Sequence, residues 1–178
     1  MNVKKHILAI NGSASVRSSN EKLIARLEDG FRGEYVMTIY HDLKSIPHFD
    51  PESALGSAPA EVQALRQAIE NADAVVICTP EYIFSIPSGL KNALEWCVAT
   101  TIFTDKPVGV ITASASGEKA HEELQLITKT LGARLSEETS LLIQGIKGKI
   151  DARGQFTDEK TKDAFERFVD SFKRFLEG

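Results

Sequence analysis

Only two cysteines, one tryptophan and two methionines occur among the 178 residues. Cys78 and Cys97 sit in apolar surroundings without metal-ligand spacing, which argues against a disulfide framework and reads as reduced core packing. No apolar stretch, "ADAVVIC" included, approaches the roughly 18 residues of a membrane helix. The opening "MNVKKHILAI" is likewise too short in apolar residues for a signal peptide. A cytoplasmic protein with no membrane partner is expected. Positive charge is in deficit, 21 basic against 25 acidic residues for a net −4, so nothing draws the chain towards nucleic acid. With 42% hydrophobic content the chain is long enough for one domain over 1–178, and a small-molecule partner is favoured.

Two phosphate-loop signatures are missing as well. There is no G-x-x-x-x-G-K-[ST] and no G-x-G-x-x-G, which argues against a Walker-type nucleotide hydrolase and a Rossmann dinucleotide site. A phosphoacceptor receiver domain would want acidic residues where the chain has Asn11, Gly12 and Thr79.

What is present is alternation. "HILAING" is a short apolar strand, and "NEKLIARLEDGF" follows with Leu23, Ile24, Leu27 and Phe31 on one helical face. "EYVMTIYHDL" reads as a second strand. A loop with Pro47, Pro51 and Pro59 leads to the helical pattern of "AEVQALRQAIENA". "DAVVICT" is apolar throughout, as a strand covered on both faces should be. "SGLKNALEWCVA" is a helix, "KPVGVITAS" a strand and "EKAHEELQLITKTLG" a helix, with Gly132 placed to cap it. "RLSEETSLLI" is a weaker fifth strand, and "TDEKTKDAFERFVDSFKRFLEG" closes with a wide apolar stripe. Five such units imply a parallel sheet with right-handed helical crossovers, hence a three-layer α/β sandwich.

Ligands bind such sheets outside the carboxyl ends of the strands, where the strand order reverses. The loop after the first strand, "NGSASVRSSN", places Ser13, Ser15, Ser18 and Ser19 with Arg17 just ahead of a helix N-terminus. Unpaired N–H groups, hydroxyls and a forked cation together suit a phosphate, although Ser18 or Asn20 could equally serve as a helix cap. After the third strand, Pro80 cannot extend the ladder and Pro87 suits a helix start, so "EYIFSI" crosses the sheet end as irregular backbone. After the fourth, "TASASGEKA" is small and rich in hydroxyls, and Gly117 would admit a flat ring close to the backbone. A planar ring with a phosphate tail would touch all three loops. His41 and His48 have no spacing that argues for a metal.

These residues resemble the NADPH-dependent FMN reductases of the flavodoxin-like superfamily, relatives of quinone, azo-dye and chromate reductases. Gly12, Ser13, Ser18 and Asn20 fall in register with the family's phosphate loop, approximately G-S-x-R-x-x-S-x-N. "PEYIFSIPSGLKNALEW", Pro80 to Trp96, matches P-E-Y-N-x-S-x-P-G-x-L-K-N-A-[IL]-[DE]-W, and "DLKSIPHFDPE" is similar to the segment after the second strand. The resemblance implies a five-stranded parallel sheet of order 2-1-3-4-5, bound FMN, and NAD(P)H as co-substrate. It also implies transfer through flavin N5 to a small acceptor such as a quinone, free flavin, azo compound or metal oxyanion, with no side chain required as acid or base. Ser13, Arg17, Ser18 and Asn20 would hold the phosphate. Pro80, Glu81, Tyr82, Ile83 and Ser85 would line the ring, mostly through backbone, and Ser114, Ser116 and Gly117 would close the other edge. A homodimer or homotetramer is implied, with Glu81 a possible subunit contact and Lys91 and Asn92 structural or at an interface. Departures are Ser15 at the motif's Arg, Ile83 at its Asn, Ser88 at a Gly, and Lys119 and Ala120 at later glycines of the third loop. An FMN-binding electron carrier or redox sensor is the alternative, but the Thr-rich phosphate loop of flavodoxins is absent.

Overall fold

The computed structural model describes residues 4–15 and 18–178. Five strands, β1 (His6–Asn11), β2 (Val36–Tyr40), β3 (Ala74–Thr79), β4 (Val108–Ser114) and β5 (Ser140–Gln144), form one sheet in the order β2-β1-β3-β4-β5. Every neighbouring pair is parallel, and the chain reverses its direction of travel across the sheet between β1 and β3. The expected order and class are therefore those observed.

Period-two alternation divides the strands between two cores. Leu8, Ile10, Val75 and Ile77 face α3 (Ala60–Glu70), α4 (Ser88–Glu95) and α5 (Glu118–Thr130). Ile7, Ala9, Val76 and Cys78 face α1 (Ser19–Phe31) and α6 (Glu159–Glu177). β3 is buried at all of its positions, which is why its sequence is apolar without interruption. The aromatic stripe of α6 fills the second core, where Phe168 and Phe172 stack with planes 3° apart. Both cysteines are buried, and burial pushes the Cys97 thiol up to about 12.

Two details differ from the sequence pattern. The proline-rich loop contains a short helix, α2 (Pro51–Leu55), because Asp50 accepts the Glu52 and Ser53 N–H groups and Pro51 opens the first turn. The fifth strand starts only at Ser140, because Ser136 and Thr139 exchange side-chain and backbone hydrogen bonds that close a tight turn first. Asn92 is structural: its side chain accepts the Phe49 N–H at 2.8 Å and donates to the Pro47 carbonyl at 2.9 Å, pinning the proline-rich loop to α4.

Candidate functional site

The first and third strands end side by side, and their closeness depends on Gly12. A Cβ there would lie 2.6 Å from Thr79 Oγ1 and 2.8 Å from Leu90 Cδ2. From this junction the β1–α1 loop turns over the sheet end. The Ser13 N–H donates to Asn11 Oδ1 at 3.0 Å and the Ser15 N–H to Ser13 Oγ at 3.2 Å. Ser18 caps α1 by accepting the Glu21 N–H at 3.1 Å, leaving the Ser19 and Asn20 N–H groups without a partner among the described residues. Capping and anion binding are compatible here, because an accepting hydroxyl still has its own proton to donate. Both polar atoms of the Asn20 side chain have partners: the amide donates to the Ala113 carbonyl at 3.2 Å and its oxygen accepts the Cys78 thiol at 3.3 Å. Its main-chain N–H is free among the described residues. Arg17 lies outside the described residues.

After β3 the chain forms a two-residue hairpin. Tyr82 and Ser85 exchange main-chain hydrogen bonds of 2.9 and 3.1 Å, and Ile83 and Phe84 at the tip have φ of 51° and 56°. Left-handed backbone at both central positions is the type I′ geometry that normally selects Asn and Gly. Of the Glu81–Ser85 amides, those of Tyr82 and Ser85 are thus spent on each other, whereas Ile83 and Phe84 keep theirs free among the described residues. The tip is also apolar and exposed, Ile83 at 96% and Phe84 at 75%.

Helix α5 grips this hairpin at two points. The Glu81 carboxylate accepts the Gly117 N–H at 3.0 Å and the Ala120 N–H at 3.1 Å, capping a helix whose own first residues offer no side-chain cap. In return Glu123 accepts the Ser85 hydroxyl at 2.7 Å and the Ile86 N–H at 3.0 Å. Gly117 makes the turn into α5 with φ of 88°, and a Cβ there would meet Leu142 Cδ1 at 3.0 Å. Tyr82 reaches across to the β1–α1 loop, its hydroxyl 3.4 Å from Ser15 Oγ. That hydrogen bond, against the opposing effect of burial, holds the phenol below its usual value.

The loops enclose a cavity of about 590 Å³ at the carboxyl ends of the strands, within the range of small-molecule sites. Ser13, Ser18 and Asn20 line it on the α1 side, Pro80, Glu81 and Tyr82 at the hairpin and Ser114 at the end of β4. Ser114 Oγ also lies 3.5 Å from the Glu81 carbonyl. Ile83, Ser85, Ser116 and Gly117 lie beside the cavity rather than on its lining: Ile83 at the hairpin tip, Ser85 on Glu123, Ser116 exposed and Gly117 beneath Glu81. Residues outside the sequence reading also belong to the site: Glu123 through the hairpin, and Gly145, Ile146 and Lys147 on the lining. Two further hollows run along α6, one beside Arg167 and Arg174 and one between α1 and α6, and both lie away from the strand carboxyl ends.

A reversal point between β1 and β3, a hydroxyl-lined helix N-terminus and an irregular backbone wall define a flavodoxin-like nucleotide-binding α/β protein. The donors fit a flavin mononucleotide: hydroxyls and unpaired amides at one end suit its phosphate, and the hairpin and β4 loop offer backbone to a flat ring.

Comparison with known proteins agrees. Residues 6–146 match the family model of NADPH-dependent FMN reductase, and the chain belongs to that family. It is similar to the NADH:(hydroxy)cinnamate reductase subunit CrdA of Vibrio ruber, with 33% identity over 96% of this chain and 86% of that protein. A quinone reductase of Escherichia coli is 28% identical over 99% of this chain and 98% of its own length. Among solved structures, FerB, an NAD(P)H:(acceptor) oxidoreductase from Paracoccus denitrificans, superposes with a TM-score of 0.85 at 30% identity, covering 97% of both chains. The chain is a flavin-dependent oxidoreductase of this family.

Proposed function

We propose that the cavity holds FMN with its phosphate at the α1 N-terminus and its ring against the Tyr82 hairpin and the β4 loop. The protein then serves NAD(P)H-driven reduction of a small acceptor: a quinone, free flavin, azo compound or metal oxyanion. The observation that carries this reading is the convergence on one cavity of the unpaired Ser19 and Asn20 amides, the Ser13 and Ser18 hydroxyls and the hairpin wall. Bound there, FMN would supply the redox chemistry, taking a hydride at N5 from NAD(P)H and passing electrons onward.

The chain's own groups bind and orient. Ser13, Ser18 and the α1 amides hold the phosphate, and Arg17, which belongs to the same loop, adds charge. Pro80, Glu81, Tyr82 and Ser114 shape the ring pocket. Ile83, Ser116 and Gly117 act through backbone, the free Ile83 amide facing the ring edge, while the Ser85 hydroxyl and the Gly117 N–H keep the hairpin on α5. The exposed apolar tip Ile83–Phe84 suits contact with a second subunit in a homodimer or homotetramer. Among the described residues no helix is long and apolar enough to cross a membrane, in keeping with the cytoplasmic setting we propose.

Ser13→Asp tests the phosphate assignment. A carboxylate against the phosphate is expected to abolish FMN retention on gel filtration while the fold, read by circular dichroism, persists. Unchanged FMN affinity would show that the phosphate binds elsewhere.

A further inference from the structure

Beyond the residues of the first, third and fourth loops, the end of β5 brings Gly145, Ile146 and Lys147 onto the cavity lining. Lys147 is the sole cation among the described lining residues, and no described hydrogen bond or ion pair engages it. The one carboxylate there, Glu81, already has both oxygens occupied by the Gly117 and Ala120 amides. Lys147 thus lines a cavity whose one carboxylate is committed to the N-terminus of α5, and a cation left without a partner there is matched to an anion brought by a ligand.

The backbone beneath it is held firmly. The Gly145 N–H donates to the Ala115 carbonyl at 3.1 Å, and the Gly148 and Lys149 N–H groups close a tight turn onto Gly145 and Ile146, each at 3.0 Å. Ile146 is buried in the core shared with α1 and α6. Further on, Lys22 and Arg26 of α1 donate to the carbonyls of Asp151 at 2.8 Å and Gly154 at 2.7 Å, tying this segment to the helix whose N-terminus lines the same cavity. Lys147 thus shares one cavity lining with Ser18, Ser19 and Asn20, whose hydroxyl and free amides open onto it.

We propose that Lys147 is a cation that pairs with the FMN phosphate, adding a charge from the end of the fifth strand to a cradle whose hydroxyls and amides come from the first loop. This inference rests on the FMN reading of the cavity. Riboflavin has the same ring and lacks the phosphate, so it separates the two claims. FMN and riboflavin are titrated separately into apoprotein of the wild type, Lys147→Ala and Lys147→Arg, following flavin fluorescence at low and high salt. Lys147→Ala is expected to weaken FMN about tenfold with riboflavin unchanged and the salt dependence of FMN binding reduced, and Lys147→Arg to restore most of the affinity. Lys147 is exposed, so the substitution removes no core contact. Equal losses for FMN and riboflavin, or an unchanged FMN affinity, would overturn the assignment. A raised KM for NADPH with FMN affinity intact would also overturn it, placing the lysine on the nicotinamide nucleotide. A wild type that binds neither flavin would overturn the FMN reading itself.

Discussion

The carboxylate of Glu81 accepts the N–H of Ala120 at 3.1 Å, a hydrogen bond between residues 39 positions apart that turns a cavity residue into a helix cap. Its other oxygen takes the Gly117 N–H at 3.0 Å. Negative charge at a helix N-terminus is favourable both for the unpaired donors and for the helix dipole. With Glu123 answering from α5, the hairpin wall and the helix hold each other, and Glu81, on the cavity lining, also organises the loop from within.

Glu81→Ala is therefore expected to cost about 1–2 kcal/mol of stability, measured by urea denaturation, and to weaken FMN binding as the hairpin loosens. Glu81→Gln should recover part of both, since one amide oxygen can still accept. An unchanged unfolding midpoint in Glu81→Ala would show that the cap contributes nothing.

The hairpin tip stores strain that one substitution should release. A β-branched residue at φ of 51° is unfavourable by roughly 1–2 kcal/mol relative to right-handed backbone, and Asn tolerates the region better. Ile83→Asn is expected to raise stability by about 0.5–1 kcal/mol and, because the ring contact we propose for this position is main-chain, to leave the rate of flavin reduction by NADPH unchanged. Stopped-flow traces and thermal melts of the two proteins check both parts. A marked rate increase would show that the missing amide side chain matters to the chemistry.

Much of this architecture is legible in the sequence. β3 reads as a central strand because every one of its side chains is buried, and Pro80 and Pro87 announce the irregular wall between them. The short α2 helix was hidden among prolines that look like loop, although Asp50 ahead of Pro51 is a cap signal. The start of β5 was obscured because "SEETSLLI" alternates like a strand while Ser136 and Thr139 satisfy each other locally. In the site, Ser13, Ser18 and Tyr82 follow from motif and position. The roles of Glu81 and Glu123 do not, since their partners are 36 to 39 residues away in sequence and only packing brings them together. Lys147 escaped for a different reason: it follows the fifth strand, beyond the loops nearest the reversal point.

His121 gives the fold a pH dependence. Its Nδ1 lies 2.9 Å from Thr112 Oγ1, and burial, outweighing the opposing pull of Glu122, lowers its pKa from 6.5. The unfolded chain then takes up this proton at higher pH than the folded one. The resulting stability is complete above about pH 6.5 and is lost as pH falls through 6.5 towards the depressed folded value. Urea midpoints should fall across that window in the wild type and fall less in His121→Gln; parallel curves would show that other groups govern the change.

The central claim is that the cavity between the α1 N-terminus and the Tyr82 hairpin holds a reducible FMN. Its most direct test is the visible spectrum of FMN-reconstituted protein after gel filtration, mixed anaerobically with NADPH, then with NADH in a separate run, each followed by a quinone. A retained oxidised-flavin band that a nicotinamide nucleotide bleaches and the quinone restores is expected. No retained flavin, or a retained band that neither nucleotide bleaches, would contradict it.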